Sequence, residues 1–179
     1  MGPLYGVHVD QSTWAAKGVA ERWLGDQATE LLKKPRFQII NASPPTGYTM
    51  TYTNSTDTSD QMWRPCKPIT RDPFAVSDAT SIPDEHIIKV PLIFPDHTAE
   101  ALEVVPAPDP QKPHRYYYKF NQHPDDLLFF IQVDSSKQPD VPRRCPHVAF
   151  KDPNLDESKG EPRISIETRA MVFYDQDEA

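Results

Sequence analysis

Glycine is scarce in this sequence, six residues in 179, and none of it forms a phosphate-cradling loop with a Walker-type lysine or a nucleophile elbow. Cysteine is scarcer, with Cys66 and Cys145 alone, too few for a disulfide-built secreted scaffold. Positive charge is not clustered. The formal net charge is -7 and no basic run exceeds Lys33-Lys34 or Arg143-Arg144. Nucleic-acid binding depends on clustered cations that displace counterions, so that function is excluded. No apolar run approaches the length of a membrane span, and Met1 to Gly6 lacks the charged and apolar regions of a signal peptide. A myristoylation pattern fails at Gly6, where Ser or Thr is required. Without a secretory signal, Asn41-Ala42-Ser43 and Asn54-Ser55-Thr56 read as chance sequons. The expectation is a soluble cytoplasmic domain with no membrane and no nucleic-acid partner.

What is abundant is proline, with twenty residues. Proline can neither donate to a β-ladder nor sit inside a helix, so much of the chain must be turns, loops and strand edges. A helical bundle is thereby set aside. The length suits a single domain over residues 1–179. Val7 to Asp10 reads as a strand end. Ser12 to Lys34 reads as one helix, capped at Ser12 or Thr13, stopped by Pro35, with Trp14, Val19, Trp23, Leu24, Leu31 and Leu32 as its apolar stripe. Residues 42–62 are polar and rich in breakers, which predicts a disordered insertion. Phe37–Ile40 reads as a strand after the helix, and short strands punctuated by Pro and Asp follow, at Phe74–Ser77, Ile87–Phe94, Val104–Val105, Arg115–Phe120, Leu127–Val133, His147–Phe150 and Ile164–Tyr174. Many short strands with one helix predict a mainly β fold, a jelly roll or barrel rather than a βαβ architecture.

One short pattern carries chemistry. In His8-Val9-Asp10, strand alternation sends His8 and Asp10 to the same face. Two such ligands with a distant histidine can occupy one triangular face of an octahedral metal and leave three positions open. By itself the pattern is common and also fits a surface strand pair. Six histidines are present; His86, His97, His114 and His123 lie in turn-like sequence beside Asp, Glu, Lys or Pro, whereas His147 opens the apolar strand Val148-Ala149-Phe150. His147 is either the distal ligand or a satisfied strand histidine. Downstream, Arg163 and Ser165 share a strand face and could bind a carboxylate through paired charge-assisted hydrogen bonds and a hydroxyl. Arg169 on the same face is a rival. A surface strand in which Glu167 pairs with one of these arginines explains them equally well.

Several ordered segments go further. They are Val7-His8-Val9-Asp10-Gln11-Ser12, Trp63-Arg64-Pro65, Phe74-Ala75-Val76-Ser77-Asp78-Ala79 and Leu92-Ile93-Phe94-Pro95-Asp96, then His114-Arg115-Tyr116-Tyr117-Tyr118 and Pro124-Asp125-Asp126. After them come Pro146-His147-Val148-Ala149-Phe150, Asp152-Pro153 and Arg163-Ile164-Ser165-Ile166-Glu167 with Arg169-Ala170-Met171-Val172-Phe173. In this order, over nearly the whole chain, they resemble the CmcJ/AsaB-like hydroxylase–desaturase family. The resemblance implies a double-stranded β-helix, cupin-like and with one N-terminal helix, that binds Fe(II) and uses 2-oxoglutarate and dioxygen. It implies His8, Asp10 and His147 as metal ligands. Arg163, Ser165 and Arg169 become co-substrate candidates and Tyr117 a pocket residue. The outcome would be hydroxylation, desaturation or ring formation on a small-molecule natural product of secondary metabolism.

Two departures shape the remaining expectations. The family carries a segment before the His-x-Asp strand, and here that motif stands almost at Met1. An incomplete barrel would leave an unpaired edge and invite self-association. Residues 42–62 interrupt a junction that is direct in the family, as an unspliced intron would. The alternatives to an oxygenase are a non-catalytic remnant or binding domain, and a redox-neutral isomerase on the same scaffold.

Overall fold

The computed structural model describes residues 3–42, 63–156 and 158–177. Apart from Ala42, the expected insertion at 42–62 lies outside them. The described elements are β1 (His8–Val9), α1 (Thr13–Leu24), α2 (Asp26–Leu31), β2 (Arg36–Ala42), β3 (Arg64–Pro65), β4 (Phe74–Ser77) and β5 (Ile87–Ile93), then β6 (Thr98–Val104), β7 (Tyr116–Tyr118), β8 (Phe130–Asp134), β9 (His147–Ala149), β10 (Ser165–Ile166) and β11 (Thr168–Tyr174). The fold is mainly β, a double-stranded β-helix of the jelly-roll, cupin-like kind with its helical segment near the N-terminus. One sheet has the order β5-β6-β1-β9-β4-β7, a second β11-β2-β8, and β10 pairs with β3.

The helical segment differs from its sequence pattern in two ways. Ser12 caps α1 as expected, its Oγ accepting from the N–H of Ala15 at 3.1 Å. The Ser12 N–H donates to Glu100 O at 2.9 Å, fastening the helix start to β6. The single helix to Lys34 is instead broken at Gly25, whose φ of 54° is open to glycine and ends α1 through an N–H bond to Glu21 O. The buried face is also not the expected stripe. Trp14 and Trp23 are exposed, and Ala15, Ala16 and Ala20 are buried. Small side chains let the helix axis come close to the sheet, where Ala16 packs with Phe37, Ile39 and Val133 and is flanked by Leu32, Met171 and Phe173.

The expected strand Ile164–Tyr174 is two strands. Ser165 pairs with Pro65, while Thr168 to Tyr174 pair with Ala42 to Arg36. One straight strand cannot serve both partners, so the chain breaks at Glu167, and alternation does not carry across from Arg163 to Arg169. The His-x-Asp strand is not the unpaired edge that an incomplete barrel would leave. β1 is an interior strand, paired with β6 on one side and β9 on the other. The edges of that sheet are β5 and β7; in β5, Ile93 is 84% exposed and Lys89 and Pro91 blunt pairing by another chain, and in β7 Tyr116 to Tyr118 are exposed.

β2 and β8 are also joined by charge. Asp134, fully buried, accepts from Arg36 Nε at 2.9 Å and Nη2 at 2.6 Å, from Gln38 Nε2 at 2.7 Å and from the Ser136 N–H at 2.8 Å. Asp134→Ala removes the buried acceptor that these donors share. It should cost about 3 kcal/mol in urea-induced unfolding, and a loss under about 1 kcal/mol would show that the network is structurally idle.

Candidate metal centre

The register of β1 builds the site. His8 stands directly opposite His147 across the antiparallel β1–β9 pair, so both side chains leave the same face. Their ring centroids are 4.4 Å apart and tilted at 59°. Asp10, two residues beyond His8, turns its Oδ1 between them, 3.4 Å from His8 Nε2 and 3.9 Å from His147 Nε2. The three donor atoms lie within 4.8 Å of one another. Ligands at right angles on a metal, each about 2.1 Å away, sit about 3 Å apart, so small rotations would bring these to coordinating distance.

Backbone carbonyls fix the tautomers. His8 Nδ1 donates to Gly6 O at 2.8 Å and His147 Nδ1 to Cys145 O at 3.1 Å. A carbonyl only accepts, so each Nδ1 carries a hydrogen, and in the neutral ring Nε2 holds the lone pair that faces the centre, whereas a protonated His8 points its Nε2–H at Asp10 Oδ1. Burial between the Phe74 and Phe130 rings pushes the His147 pKa down to about 4, which keeps it neutral near neutral pH. Burial opposes the charge of Asp10, but the His8 hydrogen bond and the charges of His147 and Arg169 outweigh it and bring its pKa to about 2. His8 is raised; burial lowers it, and the bonds to Asp10 and Gly6 more than reverse that. A metal would displace that proton. Two neutral imidazole nitrogens and one carboxylate oxygen suit Fe(II) with open positions. Among the described residues these form a 2-His-1-carboxylate facial triad.

The other Asp10 oxygen is taken. Oδ2 accepts from Gln132 Nε2 at 2.8 Å and Arg169 Nη2 at 2.8 Å. Arg169 is held further by Glu167 Oε1, 3.1 Å from its Nε and 2.9 Å from its Nη2. Arg163 lies elsewhere. Its guanidinium carbon is 5.6 Å from the centroids of both Trp63 and Phe74, its Nη1 donates to Asp72 O at 2.9 Å, and burial lowers its pKa. The Phe74 ring is the bridge, since it also lies 5.4 Å from the His147 ring. Ser165 is exposed on β10. Tyr117 stands opposite Val76, and Val76 opposite His147, so Tyr117, Val76, His147 and His8 form one row across one face of the sheet. A cavity of about 450 Å³ opens at the Val76–Tyr117 end of that row, lined on its apolar side by Phe74, Val76, Tyr117, Leu127 and Leu128 and on its polar side by Lys119, Gln122, Asp125 and Asp126. The four remaining histidines do not join the triad: His86 and His114 share a 2.8 Å hydrogen bond, His97 bonds Arg22 and Asp96, and His123 lies beside Asp125. Nothing in the sequence singled out Gln132. Its role depends on where β8 passes Asp10, which no local pattern encodes.

A family model described as "Oxidoreductase/YMDC permease-like domain" matches residues 60–173. The chain belongs to that family. The permease in its description has no counterpart here in a spanning helix, since no helix among the described residues is long and apolar enough to cross a membrane. The hydroxylase/desaturase efuI of Hormonema carpetanum is 32% identical over 98% of this chain and 54% of its own length. The hydroxylase/desaturase asaB of Aspergillus flavus is 32% identical over 64% of this chain and 54% of its own. Among solved structures, the iron and alpha-ketoglutarate-dependent endoperoxidase NvfI superposes with a TM-score of 0.72 at 25% identity, covering 96% of this chain and 54% of that one. Together they make the protein a member of the Fe(II)/2-oxoglutarate-dependent oxygenase superfamily, related to fungal hydroxylases, desaturases and dioxygenases. The resemblance to asaB is thus one of several and does not stand apart. The chain spans about half the length of the curated relatives it matches.

The thiol beside the triad gives a test of local burial. Burial pushes the Cys145 pKa up to about 11, while Cys66 is exposed. At pH 8 roughly one Cys145 in a thousand is thiolate. Iodoacetamide at pH 8 should therefore label Cys66 alone in the folded protein, and both cysteines in urea, as read by peptide mass spectrometry. Rapid labelling of Cys145 without denaturant would contradict the packing around His147.

Proposed function

We propose that this chain binds Fe(II) through His8, Asp10 and His147 and works as an Fe(II)/2-oxoglutarate-dependent oxidoreductase on a small-molecule natural product, in the hydroxylase/desaturase manner of its named relatives. The observation that carries the reading is the convergence of two Nε2 atoms and one carboxylate oxygen on a single point, with an apolar-walled cavity further along the same sheet face. When bound, Fe(II) would supply the chemistry that couples dioxygen and 2-oxoglutarate to oxidation of the substrate.

The chain's own residues do the positioning. His147, neutral and enclosed by Phe74 and Phe130, supplies a ligand from the dry side. Of the arginines, Arg163 is the better anchor for the far carboxylate of 2-oxoglutarate. It is desolvated over two aromatic rings, and one of these, Phe74, also touches the His147 ring. A fork held in that way loses little freedom on binding a carboxylate in two-point fashion. Arg169 already serves Asp10 and Glu167. Ser165, which opens β10 two residues after Arg163, is a further donor to the same carboxylate. Tyr117 is assigned to the substrate side, in the cavity wall. That cavity is large enough for a drug-sized molecule.

Anaerobic addition of Fe(II) and 2-oxoglutarate should give a weak visible charge-transfer band, absent from His147→Ala. In Arg163→Leu the band should require at least about tenfold more 2-oxoglutarate, while iron affinity is kept, because the charged hydrogen bonds to the co-substrate are lost. Absence of both a band and iron stoichiometry from the wild type would remove the enzyme reading. Iron binding without oxygen uptake or succinate release would favour a redox-neutral isomerase.

A further inference from the structure

The geometry points to Gln132 as the residue that sets how Asp10 binds metal, a role that rests on the metal-site reading above. Along β2 and β8, Ile39 pairs with Val133 but the next residue, Ile40, pairs with Ile131. Gln132 is skipped. Such a β-bulge gives one strand an extra residue and turns its side chain out of the regular alternation. Here the turned side chain is fully buried, and both ends of its amide are used on Asp10. The Asp10 N–H donates to Gln132 Oε1 at 3.3 Å, and Gln132 Nε2 donates to Asp10 Oδ2 at 2.8 Å. The orientation of the amide follows from its partners: a backbone N–H can only donate and a carboxylate can only accept.

The consequence is chemical. One side chain grips Asp10 by its backbone and by one carboxylate oxygen, so rotation about the side-chain bonds of Asp10 is checked at two points. Arg169 holds the same Oδ2 from β11, the far strand of that sheet. Oδ1 is left facing His8 Nε2 and His147 Nε2. Asp10 is therefore a one-oxygen ligand by construction, and the coordination position that a second oxygen would occupy stays open for exogenous ligands. Gln132 is a positioning residue, acting on the metal only through Asp10. A bulge costs a ladder hydrogen bond and local regularity, which a purely structural glutamine in a strand would not require.

Co(II) is a suitable probe, because its visible spectrum reports coordination number and ligand set. The wild type should bind one equivalent. Gln132→Leu should bind it about 10- to 100-fold more weakly and with a changed spectrum, as Asp10 swings or chelates through both oxygens. Gln132→Asn keeps the donor and acceptor on a shorter arm and should recover part of the affinity and the wild-type band shape. It carries the same comparison if Gln132→Leu does not fold. Thermal melts of the metal-free variants report the fold separately: a merely structural role would lower the melt and leave the Co(II) spectrum unchanged. Failure of the wild type to bind Co(II) would sink the metal-site reading and this inference together. Wild-type binding, with variants that bind within twofold of it and give an unchanged spectrum, would overturn the role of Gln132 alone.

Discussion

The antiparallel register between β1 and β9 is the constraint on which the site depends. With His8 opposite His147, a strand of two residues delivers one imidazole and aims the next same-face residue, Asp10, at the same point. A slip of one residue would send His8 and Asp10 to the opposite face of the sheet. The register is pinned from several directions. β1 also pairs with β6, where Val9 opposes Leu102, and Val9 is fully buried on the reverse face. The Ser12 N–H bond to Glu100 O locks the chain immediately after Asp10, and α1 then packs its alanines on the second sheet.

Electrostatics then shape what the register assembles. Burying an anion is costly unless donors and cations surround it. Asp10 receives Gln132 and Arg169 on one oxygen and two histidines near the other. Glu167, its own pKa raised by burial and by the charge of Asp10, is held by Arg169. One arginine thus balances two carboxylates at the site. A divalent cation would add the missing positive charge where Oδ1 points, so metal binding and folding of this region should reinforce each other.

Much of the architecture was legible from punctuation. Proline and aspartate mark many strand ends, and short apolar runs between them located β4, β5, β7, β8 and β9, whereas the expected Val104–Val105 strand met only the last residue of β6. The alternation of His8, Val9 and Asp10 announced a shared face. What local pattern could not supply was anything set by a distant partner. The break at Glu167 exists because β10 and β11 pair with different strands, so an unbroken alternating run misled the placement of Arg163 relative to Arg169. The tryptophans of α1 looked like its core face, yet alanines are buried because the sheet approaches too closely for indoles. Gln132 sits in an ordinary apolar run, and only the bulge against β2 gives it a role. His147 could be preferred over its rivals by its neighbours, but its pairing with His8 spans the length of the chain and belongs to topology.

The central claim is that these three side chains hold one metal ion through Nε2, Oδ1 and Nε2. Anomalous diffraction from crystals grown anaerobically with Mn(II), a redox-quiet stand-in for Fe(II), tests it most directly. The account predicts a single strong peak about 2.0–2.3 Å from His8 Nε2, His147 Nε2 and Asp10 Oδ1, with Oδ2 still bonded to Gln132 and Arg169. A peak elsewhere, or an Asp10 bound through both oxygens with Gln132 released, would contradict it.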